Sequence, residues 1–341
     1  MINYLKIIRN NYLAVLLVIL IGICSYFLSF FVVVGIADPL IISLVIGLVL
    51  NIIIPNKRFL KQGIEKLPFL FISIGIMFYG LRNLNFLTVR EINPYYVVLL
   101  IAVMLTYYFS SIFLGRILGL KKEITYLTAT GGAICGASAI TVTAPAVEAD
   151  SDDISISLIS VFLAAVFGLF ILLPLLAVSA NFSNEAYALL SGTVMQFTGF
   201  VKASINIMPP LESVLPADEI MKFALSIKAF RYLGLLIAIP LFASLIKGKV
   251  FLPWYLGAFL GAGILGTMSV YYQNQFYIDN ISYLIKPTYN ILWSIALATI
   301  GLNANTKKLF SNSGIKAIVV AYLSFLCAVG AFFIGFKLFL T

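Results

Sequence analysis

Long apolar runs separated by short polar segments make up almost the whole of this chain. Eleven of these runs have room for the roughly 17 to 25 residues that a helix needs to cross a bilayer. The pattern predicts an all-α integral membrane protein with about 11 transmembrane helices, folded as a single polytopic domain over residues 1–341. The predicted spans cover residues 12–34, 37–54, 67–85, 94–118, 125–147, 154–179, 186–207, 219–246, 251–272, 283–303 and 314–340.

The composition supports a membrane location and excludes several kinds of chemistry. Hydrophobic residues make up 62% of the chain and charged residues 10%, with a mean hydropathy of +1.08, which is more apolar than a soluble core requires. The three cysteines lie in separate apolar runs and histidine is absent, so neither a disulfide framework nor a metal site is indicated. No phosphate-binding loop, hydrolase elbow or metalloprotease signature occurs either. We therefore expect no cofactor, no metal and no enzymatic activity.

The net charge of +9 is distributed by side of the membrane rather than gathered in one patch. If the N-terminus is cytoplasmic, most basic residues fall in cytoplasmic segments, which is the usual topology signal. The distribution predicts a cytoplasmic N-terminus, an extracytoplasmic C-terminus, and the lipid bilayer rather than nucleic acid as the partner of the charged surface. The acidic group is then expected in a solvated outer loop; its members are Glu148, Asp150, Asp152 and Asp153.

The number of predicted spans indicates an inverted repeat. When the first helix, within residues 1–36, is set aside, ten spans divide into two groups of five, residues 37–180 and 184–341. Because five is odd, the second group enters the membrane from the opposite side, as in many secondary transporters. The fourth spans of the two groups, 125–147 and 283–303, are expected to be the discontinuous helices that cross at the substrate site.

The segment from Thr128 to Pro145 is built from Gly, Ala, Ser and Thr instead of large apolar residues. One interpretation is a helix break between Gly131 and Gly136, after which a second half-helix starts with free N–H groups that face an anion. Ser138 would cap this half-helix. The alternative is an unbroken helix in which Gly132 and Gly136 form a GxxxG packing face. The residues alone leave both interpretations open.

Charged residues inside the spans add a second indication of an anion. Lys228 and Arg231 lie three residues apart and so on one helix face, whereas no span has an Asp or Glu far from its ends. Cations at this depth need partners, which could be backbone carbonyls, water, lipid phosphate or a substrate anion; we favour the substrate. Lys202 also lies within a span, close to its outer end, and both snorkelling to the interface and a functional role stay open for it. Arg82 and Lys286 are interpreted as interfacial. The predicted substrate-binding residues are Gly132, Cys135, Gly136, Ala137, Ser138, Ala139, Gln196, Lys228 and Arg231.

The Cys-Gly segment also resembles a family signature. Residues 131–139, followed by Pro145, are similar to the G-x-x-I-C-G-x-x-A segment of the YeiH family of proposed sulfate exporters. Further stretches agree in the same order: residues 75–82, the K-x-x-R element at Lys228 and Arg231, and the A-x-x-G-L ending at residues 298–302.

The resemblance implies a bacterial inner-membrane carrier that exports sulfate or an organosulfonate and is related in fold to the bile-acid/sodium symporters and sodium/proton antiporters. The chain departs from the family pattern at two places. Met195 and Gln196 stand where the family commonly has a His-Glu pair, and Ala144 stands where it commonly has Glu. These changes remove the protonatable groups that the resemblance would imply.

The leading hypothesis is a secondary transporter of a small inorganic or organic anion, bound at the half-helix break near Ser138 with cationic residues close by. A sodium- or proton-coupled cation carrier is the main alternative, and the lack of a deep carboxylate argues against it. A channel, an intramembrane enzyme and a family member that binds without transporting are further alternatives. The sequence leaves a homodimer open.

Overall fold

A computed structural model describes residues 12–31, 38–54, 67–84, 93–208 and 216–339. All regular elements in these ranges are helical, which confirms the all-α membrane class. Six helices are long and apolar enough to span a membrane, and two shorter apolar helices accompany them.

The helices follow one another in chain order, and several long ones contain a non-α turn. The first group comprises α1 (Tyr12–Phe31), α2 (Pro39–Ile53), α3 (Leu67–Asn83), α4 (Pro94–Ile117), α5 (Lys122–Ala133), α6 (Ala137–Thr143), α7 (Ser151–Phe167), a π-helical turn (Gly168–Leu172) and α8 (Leu173–Ser179). The second group comprises α9 (Asn184–Val194), α10 (Thr198–Asn206), α11 (Ala217–Phe230), a 3-10 turn (Arg231–Gly234), α12 (Leu235–Lys247), α13 (Trp254–Tyr271), a π-helical turn (Tyr277–Ile281), α14 (Ser282–Asn303), α15 (Thr306–Leu309) and α16 (Asn312–Phe339).

Helices α5 and α6 form a re-entrant hairpin instead of a crossing span. Lys121, immediately before α5, has its Nζ 2.5 Å from Asp153 Oδ2 and 3.5 Å from Asp150 Oδ2, although both helices lie between these residues in sequence. A continuous helix over residues 122–143 would separate its ends by about 30 Å. The prediction that residues 125–147 cross the membrane is therefore wrong, because the chain turns back at the break.

Helices α9 and α10 form a second re-entrant hairpin. The Oγ atoms of Ser191 and Ser204 are 2.5 Å apart, whereas a continuous helix would separate these residues by about 20 Å. Because α7 and α8 together cross the bundle between the two hairpins, the second hairpin enters from the opposite face. The predicted crossing at residues 186–207 is therefore also wrong. Its break makes it the second discontinuous element, whereas α14, predicted for that role, is one continuous helix.

Ion pairs show which helix ends share a face. Lys247 Nζ lies 2.6 Å from Glu148 Oε1, and Lys308 Nζ lies 2.8 Å from Asp152 Oδ2. We call the end of the bundle with these contacts the Lys121 face, and the opposite end the Arg82 face. The acidic group was predicted on the opposite side from these lysines; that prediction is wrong, since the hairpin returns the chain to the face from which it started. In the described residues, two of the 11 predicted spans are hairpins, and the other nine are helices, with α7 and α8 counted as one and α11 and α12 as one.

An inverted relation is visible over shorter units than the predicted five-helix repeats. Residues 122–179 consist of a re-entrant hairpin and a long crossing helix with a non-α turn at its middle, and residues 184–247 repeat this order in the opposite direction. The first hairpin replaces the fourth predicted span of the group 37–180, and the second hairpin replaces the first predicted span of the group 184–341. The two hairpins are therefore not at equivalent positions of the predicted five-span repeats. The inverted relation that the structure displays is thus between the two hairpin-plus-helix units, which place two chain reversals at the centre of the bundle.

Candidate functional site

The tips of the two hairpins meet around the side chain of Lys228, which is completely buried. Its Nζ donates hydrogen bonds to the carbonyl oxygens of Ile134 at 2.6 Å, Met195 at 2.5 Å and Gln196 at 2.7 Å. An ammonium group has three donors, and all three are engaged. Lys228 therefore joins the break of one hairpin to the break of the other.

Arg231 makes the same kind of connection from the 3-10 turn that follows α11. Its Nε donates to Ala133 O at 2.7 Å and its Nη2 to Gly132 O at 2.6 Å, both at the end of α5. Its Nη1 donates to Thr193 O at 2.8 Å and Met195 O at 2.7 Å, at the end of α9. The final carbonyls of a helix lack partners within it and carry the negative end of its dipole. Two cations thus neutralise two helix C-termini deep in the bundle.

Gly136 gives the first hairpin tip its shape. Its backbone has φ +68° and ψ −124°, a conformation that residues with a Cβ rarely adopt. A Cβ on Gly136 would lie 2.7 Å from Cε1 of Phe197, on the second tip. Close contact of the tips therefore requires glycine here. The break between Gly131 and Gly136 is confirmed, and the alternative of an unbroken GxxxG helix is wrong. The prediction that Ser138 caps the second half-helix is also wrong, because Gly136 is the N-cap residue and no side chain caps α6.

A cavity of about 720 Å³ runs from the Arg82 face down to the two tips. Cys135 and Ser138 line it from the first hairpin, and residues 197–200 and Lys202 line it from the second. Arg82 and Lys286 also line the cavity, whereas Asp38 is its one carboxylate among the described residues. The lining therefore has more positive than negative charge.

Asp38 lies at the mouth of this cavity and caps the N-terminus of α2. Its Oδ1 accepts a hydrogen bond of 2.8 Å from Leu40 N. Burial raises the pKa of Asp38 to about 6, although the N–H groups of Leu40 and Ile41 and the charge of Lys286 oppose the rise. The carboxyl is therefore neutral on the acid side of pH 6, where the mouth of the cavity becomes still more positive.

Aromatic side chains form one wall of the cavity. The ring of Tyr79 lies 5.7 Å from that of Tyr232 and 5.2 Å from that of Tyr289, measured between centroids. The hydroxyls of these rings reach the tips: Tyr79 Oη donates to Cys135 Sγ at 3.2 Å, and Tyr232 Oη lies 2.8 Å from Thr198 Oγ1. The cavity thus offers hydroxyl groups as well as cations.

The structure brings the predicted site residues to the two tips but gives them different surroundings. Cys135 and Ser138 face the cavity, whereas Ala137 and Ala139 are fully buried beside them. Gln196 belongs to the second tip, but its side chain lies on the side of the tip away from the cavity, where its Nε2 donates to Tyr107 Oη at 3.0 Å.

Lys228 and Arg231 lie among backbone carbonyls rather than at the cavity surface. Sequence reasoning left a functional role open for Lys202 and missed Arg82 and Lys286 as cavity residues, although a charge beside an apolar run was the available signal. Among the residues that the structure describes, no three His, Cys, Asp or Glu side chains are grouped as a metal site would need.

Comparison with known proteins identifies the family. Residues 13–321 match the family model described as conserved hypothetical protein 698. A UPF0324 membrane protein of Archaeoglobus fulgidus is 26% identical over 97% of this chain and 93% of its own length. The UPF0324 inner membrane protein YeiH of Escherichia coli is 23% identical over 84% of this chain and 82% of its own length. No solved structure matches. The family predicted from the Cys-Gly segment, that of YeiH, is thereby confirmed. The chain belongs to the family of conserved hypothetical protein 698.

Proposed function

We propose that this protein is a secondary carrier for a small anion, of the sulfate, organosulfonate or organic anion class, which binds in the cavity between the hairpin tips and the cationic mouth. The observation that carries the proposal is the charge of the cavity lining. Three cations, Arg82, Lys202 and Lys286, and only one carboxylate among the described residues, Asp38, line the cavity. Lys286 interacts unfavourably with both Lys202 and Arg82. An anion among them would relieve this repulsion, and at 4 Å one such contact is worth about 4 kcal/mol near a protein surface.

The hairpins support a carrier over a simple pore. Non-helical backbone is tolerated at membrane depth only where it is buried in protein or lines a water-filled cavity, and transporters use such breaks to bind their substrates. Two hairpins that enter from opposite faces and touch only at their tips can expose a site between them to each face in turn. Met195 and Gln196 at the second tip and Ala144 after α6 carry no protonatable group where the family pattern has one, so we do not expect proton transfer at these three positions.

The relative named as an inner membrane protein supports a bacterial inner-membrane location. We propose that the Lys121 face is cytoplasmic, which retains the cytoplasmic N-terminus and the extracytoplasmic C-terminus predicted from the basic residues. Two hairpins in place of two crossings leave this relation between the termini unchanged. Enzymatic activity is not expected of this lining.

Uptake by proteoliposomes tests the proposal. The purified full chain should take up radiolabelled sulfate or methanesulfonate, and the double variant Lys202→Gln/Lys286→Gln should reduce uptake at least tenfold, because two cations that attract the anion are lost. The control is Lys222→Gln, which removes an exposed lysine that pairs with Asp218 at 3.1 Å outside the cavity. Equal uptake by the double variant and the control would contradict the site, and uptake of cations with none of any tested anion would contradict the function.

A further inference from the structure

A narrow polar void lies on the other side of the tips, between them and the Lys121 face. The tip residue Gln196 closes one end of it, and Gly132 of α5 forms part of its wall. The other lining side chains come from α5 and from the three helices that pack around the first hairpin, α4, α7 and α16, and they include four hydroxyl groups, one of which belongs to Tyr107. These lining residues are Tyr107, Ser111, Thr128, Val161, Ala321 and Ser324.

Four side-chain oxygens at this void are buried and have no hydrogen-bond partner among the residues that the structure describes. They are Ser111 Oγ, Thr128 Oγ1, Gln196 Oε1 and Ser324 Oγ. A buried polar group without a partner costs about 1–3 kcal/mol, so four around one space need an explanation. Bridging water does not provide one, because the void is too narrow to admit a water molecule. These groups can gain partners only when the void widens.

The orientation of the Gln196 amide is fixed by its neighbour. Tyr107 Oη donates its hydrogen to Val194 O at 2.8 Å, so its oxygen must accept from Gln196 Nε2. The amide oxygen of Gln196 therefore points to the void. A widened void would present this acceptor and three hydroxyls that can act as donors.

Charge decides which solute this space would take. Arg231 contacts the wall directly, since it donates to Gly132 O and its Cζ lies 5.9 Å from the ring centroid of Tyr107. No Asp or Glu lines the void among the described residues. The carboxylates that follow the first hairpin in sequence lie at the Lys121 face in ion pairs with lysines, and Glu123 lies in the first turn of α5. A metal cation with neutral oxygen ligands would be repelled by Arg231 and Lys228, whereas an anion would be attracted and could accept from the three hydroxyls.

An apolar cluster separates the void from the Lys121 face. Its buried members are Leu120, Ile124, Ile156, Ala317 and Val320. The cavity and the void therefore lie on opposite sides of the tips, the first open to the Arg82 face and the second closed by this cluster.

We propose that Ser111, Thr128, Gln196 and Ser324 form a second half-site for the transported anion, which opens toward the Lys121 face when the hairpin tips and the apolar cluster move. The proposal rests on the anion-carrier function. The three hydroxyls and the Gln196 amide oxygen, which have no partner in this structure, would then bind the anion on the Lys121 side of the tips.

Thiol labelling of the full chain in oriented membrane vesicles tests this half-site. The background is Cys24→Ala/Cys135→Ala/Cys327→Ala, to which either Ser324→Cys or, as a control in the outer cavity, Ser138→Cys is added. We expect an anionic, membrane-impermeant thiol reagent to label position 324 only from the Lys121 face and position 138 from the Arg82 face, each at a rate lowered severalfold by sulfate. Labelling of position 138 with sulfate protection, but none of position 324 from either face, would overturn the half-site and leave the carrier function standing.

A second variant needs no cysteine-free background. Ser111→Ala/Ser324→Ala removes two unpaired hydroxyls, so a purely structural role for them predicts unchanged uptake with equal or higher thermal stability. The half-site predicts sulfate uptake at least fivefold lower, with equal or higher stability and unchanged sulfate binding from the Arg82 face. Unchanged uptake, or a loss of uptake accompanied by a loss of stability, would overturn the half-site. Failure of the native chain to bind or transport any tested anion would instead overturn the carrier function.

Discussion

Replacing Arg231 with alanine is expected to unfold the protein at a much lower temperature and to abolish anion uptake. The guanidinium group donates to four carbonyl oxygens from two hairpins, at 2.6–2.8 Å. Each buried carbonyl left without a donor costs about 1–3 kcal/mol, so the total loss should reach roughly 5 kcal/mol. This is a large part of the roughly 5–15 kcal/mol by which folded domains are stable. Thermal unfolding in detergent measures the loss.

Two further variants show whether the effect comes from these carbonyls. Arg116→Ala removes an exposed arginine from the end of α4 and should leave both unfolding temperature and uptake near the native values. Arg231→Lys keeps the charge but cannot reach four carbonyls with its fewer donors, so it should be intermediate. If Arg231→Ala lost uptake while unfolding at the native temperature, Arg231 would instead contact the anion directly.

Replacing Gly136 with alanine should disrupt the contact between the tips and reduce uptake by at least an order of magnitude. The backbone of Gly136, at φ +68°, would be strained by about 1–3 kcal/mol with any side chain. The new Cβ would also approach three atoms of the Phe197 ring at 2.7–2.8 Å, so the second tip must shift. Uptake and thermal unfolding together measure both effects.

The matched control is Gly257→Ala, at a helical glycine of α13 whose added Cβ would meet no atom within 4 Å. Helical Gly-to-Ala changes are neutral or slightly stabilising where space allows. The double variant Gly136→Ala/Phe197→Ala separates the two causes. Compared with Phe197→Ala alone, the change at Gly136 should cost less stability than it does in the native chain, but not zero, since removing the ring relieves the contact and leaves the backbone strain. Native uptake by Gly136→Ala would show that the tips do not meet as described.

Apolar length was enough to predict the membrane class, and small-residue composition made the first helix break one of two open interpretations. Residues 128–145 are too poor in large side chains for a lipid-facing helix, and the break follows from Gly136. Length cannot distinguish a crossing helix from two half-helices that return to the same face, because both need a similar number of apolar residues. Only the contact of Lys121 with Asp153, which joins distant parts of the sequence, separates them.

The second break illustrates the same limit. Pro287 and Gly301 suggested a discontinuous helix at 283–303, but Pro287 is accommodated within continuous α14, and Gly301 packs against the backbone of Leu44. The polar residues from Thr193 to Thr198 marked the actual break, where the chain is extended at Met195 and Phe197. Polar composition alone was compatible with interhelical hydrogen bonds, so it did not identify a chain reversal.

The roles of the buried cations depended on partners far away in sequence. Backbone carbonyls were one of four partner types considered for Lys228 and Arg231, and these are the partners found. Every backbone has carbonyls, so no sequence pattern indicates which ones a cation will meet. Lys286, interpreted as interfacial, became a candidate for anion binding only when the fold placed it with Lys202 around one cavity.

The location of a bound anion tests the central claim most directly. The structure should be determined with a saturating concentration of an anion that the native protein transports, with selenate in place of sulfate if sulfate is that anion. We predict density in the cavity open to the Arg82 face, within hydrogen-bond distance of Ser138 or Lys202, with the carbonyl contacts of Lys228 and Arg231 intact. Density bonded to Lys228 or Arg231 in place of those carbonyls, or a cavity without density under these conditions, would contradict the account.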